Sequence, residues 1–194
     1  MTPAELKQIW PEEDLIKVNI DSVNNFSLQS STKDLLTISG IPKGFEEISF
    51  DDLSEGLNTV NKSWNLEDTF FDQYLAIGSN GSGDPVAINL NNKECIVYLN
   101  HDNGFQEVFI NTNIEKLVET IVRLREFSKV KHPLKEDSFW ITEFTDEEYE
   151  RLKADLSRID NNIFENEGSH WKDTIDYYLW EREEERKNTA QNTI

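Results

Sequence analysis

The spacing of apolar positions along this chain changes character twice, and each change marks a change of element. The opening residues Thr2-Pro3-Ala4-Glu5 form a capping-box pattern with proline at the first helical position. They predict a short helix toward Trp10 that Pro11 interrupts. Residues 12–31 carry no clear period. A second short helix is expected from about Thr32 to Ser39, closed by Gly40 and followed by Ile41-Pro42, because glycine takes the left-handed cap and proline cannot continue the turn. In the middle of the chain four short β-type runs appear: Tyr74 to Ile77, Val86 to Leu90, Cys95 to Leu99 and Gln106 to Ile110. They are separated by Gly, Asn and Asp clusters and lie too close together for crossover helices, so they predict an antiparallel meander.

Helical spacing then returns. Thr112-x-x-Glu115 precedes Ile114, Leu117, Val118, Ile121 and Leu124, which predicts a helix over about 113–127 with one face on the sheet. A basic, loop-like connector is expected from Lys129 to Lys135. Thr145-x-x-Glu148 opens a helix carrying Tyr149, Leu152, Leu156 and Ile159. Ser169 is placed to cap a last helix with Trp171, Ile175, Tyr178 and Leu179 on one stripe. Tyr177 and Trp180 fall off that stripe, which leaves them either packed under a neighbouring segment or part of an interaction surface. The run Glu181 to Lys187 reads as an exposed, frayed helix end. Strands grouped centrally with helices on both sides predict an α+β fold, a central antiparallel sheet flanked by helices, and not alternating βαβ units.

Charge and composition narrow the function. Leu, Ile, Val and Phe number 54 of 194 residues, above the roughly 20% below which disorder is the default, so the chain is long and apolar enough for one folded domain. Its 19 basic and 38 acidic residues give a net charge of −19. Such a surface cannot displace counterions from nucleic-acid phosphate or adsorb to an anionic bilayer, so neither is expected as a direct partner. The excess is uneven: residues 71–142 hold 7 basic and 10 acidic groups, against 5 and 13 before them and 7 and 15 after them. One cysteine, Cys95, allows no intrachain disulfide and reads as a buried small hydrophobe. The first residues, MTPAELKQIW, lack the basic start and apolar run of a secretory signal, and the expected location is the cytoplasm.

Little in the sequence points to chemistry. Gly78-Ser79-Asn80-Gly81-Ser82-Gly83 is followed by a strand and not by the helix that a phosphate cradle needs, so it reads as a wide β-turn whose glycines supply positive φ. The same stretch lacks the alternating oxygen ligands of a calcium loop, and Asp84 reads as ordering the turn through its backbone. His101, His132 and His170 have no metal-ligand spacing, and no metal or cofactor is expected. His101-Asp102 has no accompanying nucleophile motif and reads as a turn pair. The acid pairs Glu46-Glu47, Asp51-Asp52 and Glu147-Glu148 show no convergent spacing and read as solvated faces.

The order of these features resembles the SUKH superfamily, which includes yeast cell-wall-synthesis regulators and many bacterial immunity proteins. Gly40-Ile41-Pro42 is similar to the Gly-Leu-Pro after that family's early helix. Tyr74 to Ile88, with Gly78-Ser79-Asn80-Gly81-Ser82-Gly83-Asp84 at its centre, is similar to its glycine-rich hairpin. Val97 to Asp102 resembles its strand ending in a His-Asp turn, and Phe109 to Leu117 its closing strand and helix start. The likeness covers about 32–127, with 128–194 as a C-terminal helical extension of a single domain spanning 1–194. The resemblance implies a non-catalytic domain that recognises proteins: an immunity protein that binds and neutralises a cognate toxin, in many cases a nuclease, or alternatively a regulatory scaffold like the yeast members. An acidic skin suits a basic nuclease cleft. The acids picked out as its contact surface are Asp51, Asp52, Asp84, Asp102 and Glu107. Monomer and dimer stay open.

Overall fold

A computed structural model describes residues 3–131 and 143–191. The chain opens with α1 (Pro3–Ile9) and a 3-10 turn after Pro11. Next come β1 (Leu15–Ile16) and a one-turn helix, α2 (Ile20–Val23), capped by the Asn19 side chain. Helix α3 (Ser30–Asp34) widens into a π-turn over Leu35–Ser39 that stops at Gly40. Gly40 has φ +83°, donates its N–H to the Leu35 carbonyl at 2.8 Å, and lies so close to β1 that a Cβ would stand 2.9 Å from the Ile16 carbonyl oxygen. This glycine is required both for its dihedral and for that approach. It delivers β2 (Ile41–Pro42) to an antiparallel pairing with β1.

A small entry hairpin follows, β3 (Gly44–Phe45) and β4 (Ile48–Phe50), then β5 (Asn58–Thr59), α4 (Val60–Trp64) and a 3-10 turn at Thr69–Gln73. The meander is β6 (Tyr74–Ser79), β7 (Pro85–Asn89), β8 (Cys95–Asn100) and β9 (Gln106–Asn111). The large sheet has the order β3-β4-β6-β7-β8-β9, every neighbour antiparallel, with β5 pairing β6 beside β4. The predicted meander is therefore present. The strands between Pro42 and Tyr74 escaped prediction because two or three residues are too few to show an alternation.

Helices α5 (Ile114–Lys131), α6 (Asp146–Ile159), α7 (Asn162–Glu165) and α8 (His170–Gln191) complete the α+β architecture. One sheet face, with Leu75, Ile77, Val86, Ile88, Ile96 and Ile110, packs against these helices in the main core. The other face, with Tyr74, Ala76, Ala87, Cys95, Val97 and Leu99, forms a smaller cluster under Val60 and Phe71. Among the described residues no helix is long and apolar enough to cross a membrane.

Several local expectations are corrected. Lys129 to Lys131 continue α5 and are not loop; the rest of that expected connector lies outside the described residues, as does Thr2 of the first capping box. The Thr145/Glu148 box forms reciprocally. Ser169 precedes α8, yet its buried hydroxyl has no hydrogen-bond partner among the described residues. Of the glycines in the β6–β7 turn only Gly83 has positive φ. Gly78 serves contact instead, since a Cβ there would lie 2.1 Å from the Ser49 carbonyl oxygen of β4.

Candidate functional site

The register Phe45↔Ile48 leaves Glu46-Glu47 as the two-residue turn of the β3–β4 hairpin, with Glu46 at φ +58°. A carboxylate residue here occupies left-handed backbone that glycine or asparagine takes more readily, a strain that marks the turn as a place to look for function. Because Ser49 pairs with Ser79 and Asn100 with Gln106, this turn sits at the same end of the sheet as the Asn80–Asp84 and His101–Phe105 turns. A Cβ placed on Gly81 would meet the Glu47 side chain at 3.7 Å, an ordinary van der Waals contact, so Gly81 faces Glu47 with room for a methyl group between them.

The first turns of α8 stand opposite. His170, Asp173, Thr174, Tyr177 and Tyr178 recur at helical spacing along one side of that helix. With Glu46, Glu47 and Tyr98 of β8 they line a cleft of about 270 Å³. Its helical wall is anchored from behind by a buried polar network. Trp171, fully buried, donates Nε1–H to Asn111 Oδ1 at 2.8 Å, and Asn111 Nδ2 donates to Thr120 and to Asp160, both at 3.2 Å. Asp160 also accepts the Thr112 N–H and hydroxyl, each at 2.7 Å. Further along, Tyr149 Oη donates to Asp176 at 2.7 Å. Arg182 is buried, donates to the Phe144 carbonyl at 2.9 Å and to Asp146 at 2.5 Å, and lies 4.5 Å over the Phe144 ring. The segment read as a frayed end thus contains an anchor.

The cleft is acidic and aromatic. Among the described residues that line it, none is Lys or Arg. Burial pushes the Glu46 carboxyl up to about 8, with the Glu47 charge adding to the effect. Burial pushes His170 down to about 4, so its imidazole is neutral near pH 7. The Tyr98 phenol is raised by burial first, then by the Asp84, Asp173 and Glu47 charges that converge on it. His170 packs edge-on against Trp171 at 4.5 Å and Tyr98 at 6.0 Å. Among the described residues, its Nε2 and the hydroxyl of buried Tyr178 have no hydrogen-bond partner. Tyr177 and Trp180 are both exposed, at 45% and 56%, with rings 5.5 Å apart, which decides the open alternative in favour of surface placement.

The five acids expected to form the contact surface are dispersed. Asp84 is buried and accepts from both the His101 N–H at 2.8 Å and Nδ1 at 2.6 Å, tying two turns together. Asp102 is exposed, 3.3 Å from His101 Nε2, so these two acids share one histidine. Asp51 and Asp52 follow β4: Asp51 donates its N–H to the Ile77 carbonyl, and Asp52 accepts from Ser54 N–H. Glu107 belongs to the opposite sheet face, accepting from Tyr74 Oη at 2.5 Å and Asn89 Nδ2 at 3.0 Å. Sequence reasoning set Glu46-Glu47 aside as a solvated pair and passed over Tyr98, His170 and Asp173. The available signal was the exposed aromatic beside the helical stripe at Tyr177.

Among the described residues no three His, Cys, Asp or Glu side chains converge to hold a metal ion. Compared with known proteins, residues 1–177 match the family model described as SUKH-4 immunity protein. No curated protein and no solved structure matches the chain.

Proposed function

Since this chain belongs to the SUKH-4 immunity protein family, we propose that it is a cytoplasmic immunity protein that neutralises a cognate toxin by binding it, and that the toxin carries a basic nuclease domain. The family match over residues 1–177 carries the reading. The net charge of −19 supports the basic target, because an acidic protein is steered into a phosphate-binding cleft and obstructs it.

Co-expression with the toxin encoded beside its gene tests the proposal. Protection of the host and a co-purifying complex are expected, and continued toxicity with no complex refutes it. Association should slow as salt rises toward physiological strength, where the Debye length falls to about 8 Å. An on-rate indifferent to salt removes the electrostatic part, and several cellular partners without an adjacent toxin gene indicate a regulatory scaffold instead.

A further inference from the structure

We infer that the cleft between the β3–β4 turn and α8 receives one lysine or arginine side chain of the toxin, its cationic head among Glu46, Glu47 and Asp173 and its stem against Tyr98 and Tyr177. The inference rests on the immunity reading and assigns it a contact site.

Size, polarity and unused bonding capacity all favour this occupant. At about 270 Å³ the cleft lies at the low end of the range of binding sites and has room for one long side chain. Ammonium and guanidinium groups donate hydrogen bonds and accept none. The lining answers with acceptors: three carboxyl groups, a neutral imidazole and the Tyr178 hydroxyl. His170 and Tyr178 are 8% and 6% exposed, and each carries a buried polar atom without a partner. Leaving such atoms unsatisfied costs about 1–3 kcal/mol each unless something arrives to bond them. The acids come from the β3–β4 turn and from α8, and among the described residues no three of them converge as a metal site would, so a long organic cation is the better match. Aromatic faces beside it add cation–π attraction, and Tyr177 of the lining is paired with exposed Trp180, residue types enriched in interface hot spots.

Glu46 also behaves as a group held for a partner. In the free protein its carboxyl is desolvated, has a like charge beside it, and sits on strained backbone. An inserted cation offsets both the desolvation and the like charge by pairing with the carboxylate.

The test uses the catalytically inactivated toxin domain encoded by the neighbouring gene as probe, with affinities measured by calorimetry or surface plasmon resonance. Glu46→Gln/Asp173→Asn and, separately, Tyr177→Ala should each weaken binding at least tenfold, the acid pair also flattening the salt dependence. Asp51→Asn/Asp52→Asn, which removes at least as much negative charge but away from the cleft, should stay within about twofold of the unaltered protein. Tyr177 is exposed, so its truncation leaves the fold intact if the acid pair disturbs it. Binding within twofold for both cleft variants overturns the inference while leaving the immunity function standing. Equal losses from the two acid pairs, with Tyr177→Ala unchanged, also overturn it and reduce recognition to long-range charge. Failure of the unaltered protein to bind or protect is a different result: it refutes the immunity reading and this inference with it.

Discussion

Replacing Glu46 by glutamine should stabilise the free protein, and by an amount that grows with pH. The carboxyl is set against the sheet end and α8, and no hydrogen bond or cation among the described residues offsets its desolvation. Its pKa rises from 4.5 to about 8 on folding, so the folded state holds this proton more tightly than the unfolded state does. The favourable contribution is therefore complete below pH 4.5, declines as pH rises, and is gone above about 8. At about 1.4 kcal/mol per pH unit the full interval corresponds to about 5 kcal/mol, and partial solvent access of this half-buried residue reduces the expectation to about 2–3 kcal/mol. Glutamine keeps the shape and stays neutral at every pH. Urea unfolding followed by tryptophan fluorescence from about pH 5 to about pH 9 reads the effect directly. The other carboxyls titrate in both proteins and cancel in the difference. The two stabilities should nearly coincide at the acid end and diverge toward the alkaline end. A difference independent of pH, or a glutamine variant less stable at about pH 9, refutes the assignment of burial as the cause.

Three further outcomes can be checked with the same unfolding assay. His170 is neutral when folded, its pKa lowered from 6.5 to about 4 by burial, so its contribution is complete above pH 6.5 and is lost as pH falls toward 4. His170→Phe should flatten that acid limb, and an unchanged limb places its origin elsewhere. Asp160→Ala strips the acceptor from Thr112 and Asn111 inside the core and should cost about 3–5 kcal/mol; a loss under about 1 kcal/mol means the network does not hold α8. Gly78→Ala drives a methyl against the Ser49 carbonyl and should cost about 1–3 kcal/mol or more, whereas Gly83→Ala, with open space around it, meets only the dihedral penalty.

Comparing pattern with outcome shows where sequence reading has force. The meander was legible because each of its strands is five or six residues long, enough for alternation and turn chemistry to register together. Helix α6 was legible through its capping box. The C-terminal run from Glu181 misled because its charges suggested solvent. A single arginine in it, Arg182, snorkels inward to the Phe144 carbonyl and ring, a contact spanning 38 positions of chain. His170 gave no local sign of being buried and neutral, since that depends on Tyr98 and Trp171 closing over it.

The acidic skin, the α+β order of elements and the kinship with immunity proteins are therefore properties of the sequence: composition, period and motif order are local quantities summed along the chain. The cleft is not such a quantity. It exists because a two-residue turn at positions 46 and 47 and a helix beginning at position 170 are brought to the same end of one sheet. Of 38 acidic residues, the ones gathered there were selected by strand register and by the buried anchors of α8. Charge along a chain says how strongly a basic partner is attracted, whereas its landing place is decided by which side chains long-range packing leaves together and unsatisfied.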